Sequence, residues 1–374
     1  MTIRLRGITW DHDRGHASIV AASRAYAESN DVQIDWDARS LQAFADQGLA
    51  TLTESYDLLV IDHPHIPEAA HAGLLAALPD GGGTAEFVGR SEQSYCWQGI
   101  RYGLAIDAAA QVAAYRPDLL LAPPRTWPEV LDLASDGVVL WLAKPIDAFA
   151  STFTLTSGLQ GADAGRGRFA DPSAFAEAWH LLGRLRDLVP PECHSANPIQ
   201  VADRMATEDR WAYAPLLYGY SNYSRPGFRD HLLRWSDIPE IDGQPRGSML
   251  GGAGLAVSAQ ATHREEAVAF ATWAATGDVQ RGVYALGGGQ PGHVAAWTDP
   301  NLNALTADFF TGTRRTLDQA SLRPQHPAFM AVQEAACERV HRGLWHREAA
   351  ASVLEDLDRM FTSLTAQEAD HADR

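Results

Sequence analysis

Arg4-Leu5-Arg6-Gly7-Ile8-Thr9-Trp10 reads as a strand, since Arg4 and Arg6 alternate with Ile3 and Leu5 at the period of a strand. Ala17–Ser29 follows, with Ile19, Val20, Ser23 and Tyr26 roughly on one side of a helix. Val32–Trp36 reads as a second strand, and Ser40 as the N-cap of a helix running to about Thr53. Asp57-Leu58-Leu59-Val60-Ile61 is an apolar run between polar residues, as in a strand buried on both faces. The order β-α-β-α-β predicts an α/β fold, a parallel sheet with helices on both faces. In open sheets of this kind ligands sit beyond the carboxyl ends of the strands. That rule points to two loops, Trp10-Asp11-His12-Asp13-Arg14-Gly15-His16 and Asp62-His63-Pro64-His65.

The chain has 374 residues, 30 Lys+Arg against 47 Asp+Glu, a formal charge of −17, 46% hydrophobic and 21% charged residues. These values describe a globular chain and exclude extended disorder. The length predicts two domains. The acidity argues against duplex nucleic acid and against an anionic membrane surface as partners. No run reaches the roughly 18 apolar residues of a membrane helix, so no membrane insertion is expected. No export signal follows Met1, which reads as cytoplasmic as written, or as extracytoplasmic if a leader was removed. Cys96, Cys193 and Cys337 are odd in number and lie far apart, which excludes a disulfide framework. Lys144 is the only lysine.

Further along, Pro79–Thr84 reads as a loop and Ser94–Gln98 as the start of a new segment. Val112–Tyr115 reads as a short strand, and Thr126 with Glu129 as a capping box. Val138–Leu142 is expected as a strand, followed by the loop Lys144-Pro145-Ile146-Asp147 and a helix from about Ala148. A Gly-rich loop is expected at Gly158–Asp171, helices at Pro172–Leu188 and Val201–Glu208, and a strand at Trp211–Leu217 running into Tyr218-Gly219-Tyr220-Ser221-Asn222-Tyr223. A third section opens on Gly251-Gly252-Ala253-Gly254 and the strand Leu255–Ser258. It continues through the helix Glu265–Ala275 and the sharp loop Gly287-Gly288-Gly289-Gln290-Pro291, and ends in the helices Ala331–Arg342 and Arg347–Leu364.

Catalytic signatures are missing. No G-x-S-x-G or P-loop is present, no G-x-G-x-x-G follows the first strand, and Cys96 has no partnered motif. Asp11 with Asp62 has no spacing diagnostic of glycoside chemistry. His12, His16, His63 and His65 beside Asp11 and Asp13 offer donors to a metal, but no ligand motif supports one. No metal and no cofactor is expected. Trp10, Tyr218, Tyr220 and Tyr223 are candidates for stacking on a ligand. Trp127 and Trp273 lie within helical patterns and read as core.

Pro124-Arg125-Thr126-Trp127-Pro128-Glu129-Val130-Leu131 resembles an element of bacterial family 1 extracellular solute-binding proteins. So do GGAGLAVS at 251–258, REEAVAFATW, DVQRGVYALGGGQPGH and the tail at 323–364. Tyr102-Gly103-Leu104-Ala105-Ile106-Asp107 stands where that family crosses between lobes, with Ala105 in place of its usual proline. The resemblance implies a two-lobed type 2 periplasmic-binding fold with hinge strands and a helical C-terminal region. Lobe one would be 1–108 plus 252–302, and lobe two 109–251 plus 303–374. It implies a monomer that captures a small polar ligand, a carbohydrate or related compound, for an ABC permease, without catalysis. The ligand set expected in the cleft, from the loops at the strand ends and the polar, aromatic and glycine residues near them, is Trp10, Asp11, His12, Arg14, Asp62, His63, His65, Lys144, Asp147, Tyr218, Tyr220, Asn222, Gly252, Gly288 and Gln290. The alternative is a cytoplasmic enzyme or ligand sensor on the same scaffold, acting on a small organic or aromatic acid.

Overall fold

The computed structural model describes residues 2–40, 43, 48–79, 86–160 and 168–372, with side chains through Leu364. Positions 41, 42 and 44–47 of the expected helix Ser40–Thr53, most of the loop Pro79–Thr84 and the middle of Gly158–Asp171 lie outside the described residues. Within them, Ser40 Oγ accepts from the Ala43 amide at 3.2 Å, as an N-cap does.

The first strands form as the alternation predicts. β1 (Ile3–Trp10) pairs in parallel with β2 (Val32–Arg39), Ile3 opposite Val32 and Trp10 opposite Arg39, and with β3 (Leu58–Ile61) on its other side. All four residues of β3 are buried. Its side chains alternate across the sheet: Leu58 and Val60 enter one core with Leu5, Ile19 and Phe270, while Leu59 and Ile61 enter another with Ile8, Leu52 and Ile66. A run apolar on both faces is therefore satisfied on both faces, which explains DLLVI.

After a two-strand ribbon, β4 (Cys96–Trp97) with β5 (Ile100–Arg101), the chain enters β6 (Leu104–Tyr115). Val112–Tyr115, expected as a separate short strand, is the last third of this one 12-residue strand, every residue of which is buried. Its alanine-rich sequence carries too little bulk for period-2 patterning to reveal its length. β6 pairs antiparallel with β7 (Tyr213–Tyr218), β8 (Arg234–Ser236) and β9 (Leu250–Val257). β9 also pairs antiparallel with β3, giving the order β2-β1-β3-β9-β6-β7. The sheet is thus mixed where the sequence predicted parallel pairing. β6 and β9 are the strands that run from the first half of the sheet into the second. β6 slips register between Ala105 and Asp107 against β9, and again between Val112 and Ala114 against β7. Such irregularities bend a strand and raise its twist.

Val138–Leu142 is not a strand. Only Val139 bridges to Tyr213, and Leu140 donates to the Tyr213 carbonyl at 2.9 Å. The helix after it starts at Pro145 rather than Ala148 and runs to Gln160. The capping box forms as expected, Thr126 and Glu129 bonding reciprocally at the start of the helix Trp127–Ser135. Helices Pro172–Leu188, Phe329–Trp345 and Ala350–Ala372 pack with Pro145–Gln160 around the largest core, which holds Trp141, Phe149, Trp179 and Leu357. Trp127 is 5% exposed and in that core, whereas Trp273 is half-buried against Tyr26 and Phe270.

Candidate functional site

A cavity of about 400 Å³ opens where the strand ends of the two lobes face each other. One wall comes from the first βα loops, Trp10, Arg14, Ser40 and Asp62. The floor comes from the crossing strands, Asp107, Ala109 and Gly251–Ala253. The far wall comes from Lys144, Ile146, Asp147, Asn197, Tyr218 and Tyr220, with Arg323 closing one end.

Arg14 is set by local sequence. His12 is the N-cap of a single wide turn, Asp13–Ala17, and its Nδ1 accepts from the Arg14 amide at 3.0 Å. Burial, and then Arg14, lowers the His12 pKa to about 4, so the ring is neutral and able to accept at neutral pH. Trp10 packs on Gly15: a Cβ there would sit 2.3 Å from the indole, so only glycine lets the turn and the ring coexist. The Arg14 guanidinium is 4% exposed. It donates to both Asp107 oxygens at 2.7 and 2.5 Å, donates to the Gly219 carbonyl at 2.7 Å, and lies 4.7 Å over the Tyr220 ring. Burial pulls the Arg14 pKa down, but the charge and hydrogen bonds of Asp107 together outweigh it and hold the group protonated. This fork ties a loop of the first lobe to the hinge strand and to the segment after β7 in the second.

A second fork lies at the other end. Arg323 Nη2 donates to both Asp62 oxygens at 2.8 Å, and Asp62 Oδ1 also accepts from the His63 amide at 2.8 Å. Burial alone would raise the Asp62 carboxyl, but Arg323, with His63, brings it below the usual range. Asp147, in the first turn of Pro145–Gln160, is different. It is 3% exposed, and its Oδ2 has no hydrogen-bond partner among the described residues. Burial pushes its pKa up to about 8, against the pull of Lys144. Tyr218 donates to the Met249 carbonyl at 3.3 Å and covers Gly251, so one aromatic face is locked in place. Gly252 has φ +110°, and a Cβ there would meet the Asp107 carbonyl oxygen at 2.5 Å, so β9 can cross here only as glycine.

Of the residues expected in a cleft, the structure brings Trp10, Arg14, Asp62, Lys144, Asp147, Tyr218, Tyr220 and Gly252 to this cavity. His12 stands behind Tyr220, edge to face at 4.9 Å. Asn222, Gly288 and Gln290 form a brace behind the wall. Asn222 Nδ2 donates to the Gly288 carbonyl at 3.2 Å. Gln290 Nε2 donates to the Ala108 carbonyl at 2.8 Å, and Gln290 Oε1 accepts from the Ser221 amide at 3.0 Å. His63 is 5% exposed and neither ring nitrogen has a hydrogen-bond partner among the described residues; burial, then Arg323, lowers its pKa to about 3. His65 lines a second cavity, about 540 Å³, that shares Lys144 and Ile146 with the first. Asp11 is exposed and lines neither. Asp107 and Arg323 are the charged residues sequence reasoning missed. In sequence Asp107 stands out only as the end of a crossover element, and the partner of Arg323 lies 261 positions away.

A larger cavity, about 670 Å³, lies between the helices Pro172–Leu188 and Ala350–Ala372, and no strand end lines it. Among the described residues, no cluster of three or more His, Cys, Asp or Glu is placed to hold a metal, and no helix is long and apolar enough to cross a membrane.

The profile of bacterial extracellular solute-binding proteins matches residues 21–304, about three quarters of the chain. The chain belongs to that family. Its members bind solutes rather than catalyse reactions. Solved structures share the whole architecture. Maltose-bound MalE3 of T. maritima matches at a TM-score of 0.83 and 15% identity over 97% of this chain and 100% of that one. A solute-binding protein of Thermotoga lettingae bound with α-D-tagatose matches at 0.80 and 17%, over 96% and 100%. The GacH receptor of Streptomyces glaucescens, solved with acarbose, matches at 0.79 and 14%, over 97% and 98%. At such identities the likeness speaks for the two-lobed fold. No curated protein sequence matches the chain.

Proposed function

We propose that this solute-binding protein captures an uncharged carbohydrate or polyol in the cavity between its lobes and delivers it to an ABC permease outside the cytoplasmic membrane, acting as a monomer. Lobe one comprises 1–108 and 252–302, and lobe two 109–251 and 303–374. The carrying observation is the cavity lining. Arg14 is paired with Asp107 and Arg323 with Asp62, so two of the three cations that line the site are already matched by carboxylates. Neither arginine presents a free pair of terminal nitrogens to a carboxylic-acid ligand: Arg14 gives Nε and Nη2 to Asp107 and Nη1 to the Gly219 carbonyl, and Arg323 gives Nη2 to Asp62 and Nη1 to Gln333. Trp10, Tyr218 and Tyr220 supply rings that suit the C–H faces of sugars. The structural relatives bound to maltose and to tagatose support the same class. Of the expected ligand residues, those at the cavity would touch the solute, and His12, Asn222, Gly288 and Gln290 would hold the wall behind them.

The test is a thermal-shift screen of the purified protein against neutral sugars, polyols and organic acids. A ligand at 100 times its Kd stabilises by about 2.7 kcal/mol. The expected result is a rise in Tm with one or more neutral sugars or polyols and none with the acids. A rise with an organic acid alone would reject the reading.

A further inference from the structure

We infer that Asp147 is the anchor of the ligand in this cleft, its carboxyl taking hydrogen bonds from hydroxyls of the bound carbohydrate. The inference rests on the carbohydrate reading above and adds a specific residue and a cost that the empty protein bears for it.

The carboxylates of the cavity fall into two kinds. Asp62 and Asp107 are each held by an arginine fork and have their acceptor capacity engaged within the protein. Asp147 lies on the same cavity, as deeply buried as Asp107, and no described side chain or amide donates to its Oδ2. An acceptor buried without a partner is unfavourable, and folded proteins rarely keep one without a use. Nor does Asp147 hold its own helix. Its amide donates to the Lys144 carbonyl at 2.8 Å, and no described amide donates to its Oδ2. The titratable groups facing it are Lys144 from its own loop, Tyr218 and Tyr220 from the segment ending β7, and Arg323 across the cavity. The tyrosines offer hydroxyls, but Tyr218 spends its hydrogen on Met249. The missing donor is therefore supplied from the cavity itself, and a sugar or polyol, rich in hydroxyl hydrogens, is the chemistry that supplies it. The raised carboxyl pKa of about 8 fits this position: without a donor the charged form is disfavoured. Ligand hydroxyls stabilise the charged form, so binding near neutral pH drives a proton off Asp147.

A residue kept for structure and a residue kept for a ligand respond oppositely to removal. The experiment compares wild type with Asp147→Ala and Asp147→Asn by differential scanning calorimetry without ligand. It also uses isothermal titration with the best-binding member of a set containing maltose, α-D-tagatose and D-mannitol, in two buffers of different ionisation enthalpy. Asp147→Ala is expected to keep or raise the ligand-free Tm while weakening binding about 10- to 100-fold, the loss of a hydrogen bond to a charged group. Asp147→Asn is expected to abolish the buffer-dependent heat that reports proton release. Wild-type affinity in Asp147→Ala would overturn the inference and leave the carbohydrate reading standing. A fall in ligand-free Tm with unchanged affinity would make Asp147 a structural residue and overturn it too. If no set member binds wild type, the carbohydrate reading fails and takes this inference with it.

Discussion

Replacing Arg14 by methionine tests whether the buried fork at the hinge is as important as its geometry implies. Methionine keeps much of the aliphatic stem over Tyr220 and removes the guanidinium. Asp107, 1% exposed, then loses both of its fork bonds, and the Gly219 carbonyl loses its donor. Removing one partner of a buried ion pair costs about 3–5 kcal/mol, because the remaining charge has no water to turn to. With an unfolding entropy near 2.1 cal/mol/K per residue, that corresponds to a Tm drop of about 4–6 °C for a chain of this length. The effect also has a sign in pH. Without Arg14, the folded pKa of Asp107 lies above its unfolded value, so the folded state binds more protons and the deficit shrinks as pH falls from 7 toward 5. Adding Asp107→Asn to the variant removes the stranded charge and is expected to recover more than half of the loss. The assay is urea and thermal unfolding of wild type, both single variants and the double, at pH 7 and pH 5. A deficit under 1 kcal/mol in Arg14→Met, or no recovery in the double variant, would refute the reasoning.

Other outcomes follow from the same geometry. Gly252→Ala places a Cβ 2.5 Å from the Asp107 carbonyl oxygen at φ +110° and should cost about 1–3 kcal/mol in urea unfolding; wild-type stability would mean β9 crosses the hinge differently. His63 has a folded pKa near 3 and an unfolded one near 6.5, so it opposes folding increasingly as pH drops through that window, by about 2 kcal/mol at pH 5. His63→Leu should therefore lose about that much less stability than wild type between pH 7 and pH 5; equal losses would count against the buried neutral ring.

Much of this architecture was readable from patterning, where the physics is local. β1 and β2 follow from period-2 alternation, β3 from an apolar run with two faces to bury, and the capping box at Thr126 from side-chain reach within one turn. β6 was only half visible, because Ala108–Ala110 and Ala113–Ala114 give no amphipathic contrast to count. The Val138–Leu142 segment has strand composition but only one bridge, so its burial rather than pairing explains its apolar residues. The loop rule brought Trp10, Arg14 and Asp62 to the cavity, since strand ends converge whatever the pairing partner. It could not show that the carboxylate of Asp62 is occupied by Arg323 or that Trp10, 4% exposed, belongs to the core. From sequence, alanine at either position looks like a clean probe of binding. In the structure Trp10→Ala opens a core and Asp62→Ala strands a buried arginine, so both variants would report on stability first. Asp147 is the cleaner probe because no described donor reaches its Oδ2.

The most direct measurement is a crystal structure of the protein with its best-binding neutral sugar. The predicted result is one sugar in the cavity between the lobes, a ring face against Trp10, Tyr218 or Tyr220 and at least one hydroxyl within hydrogen-bond distance of Asp147. A ligand bound elsewhere on the chain, or a sugar chemically altered in the cavity, would contradict the account.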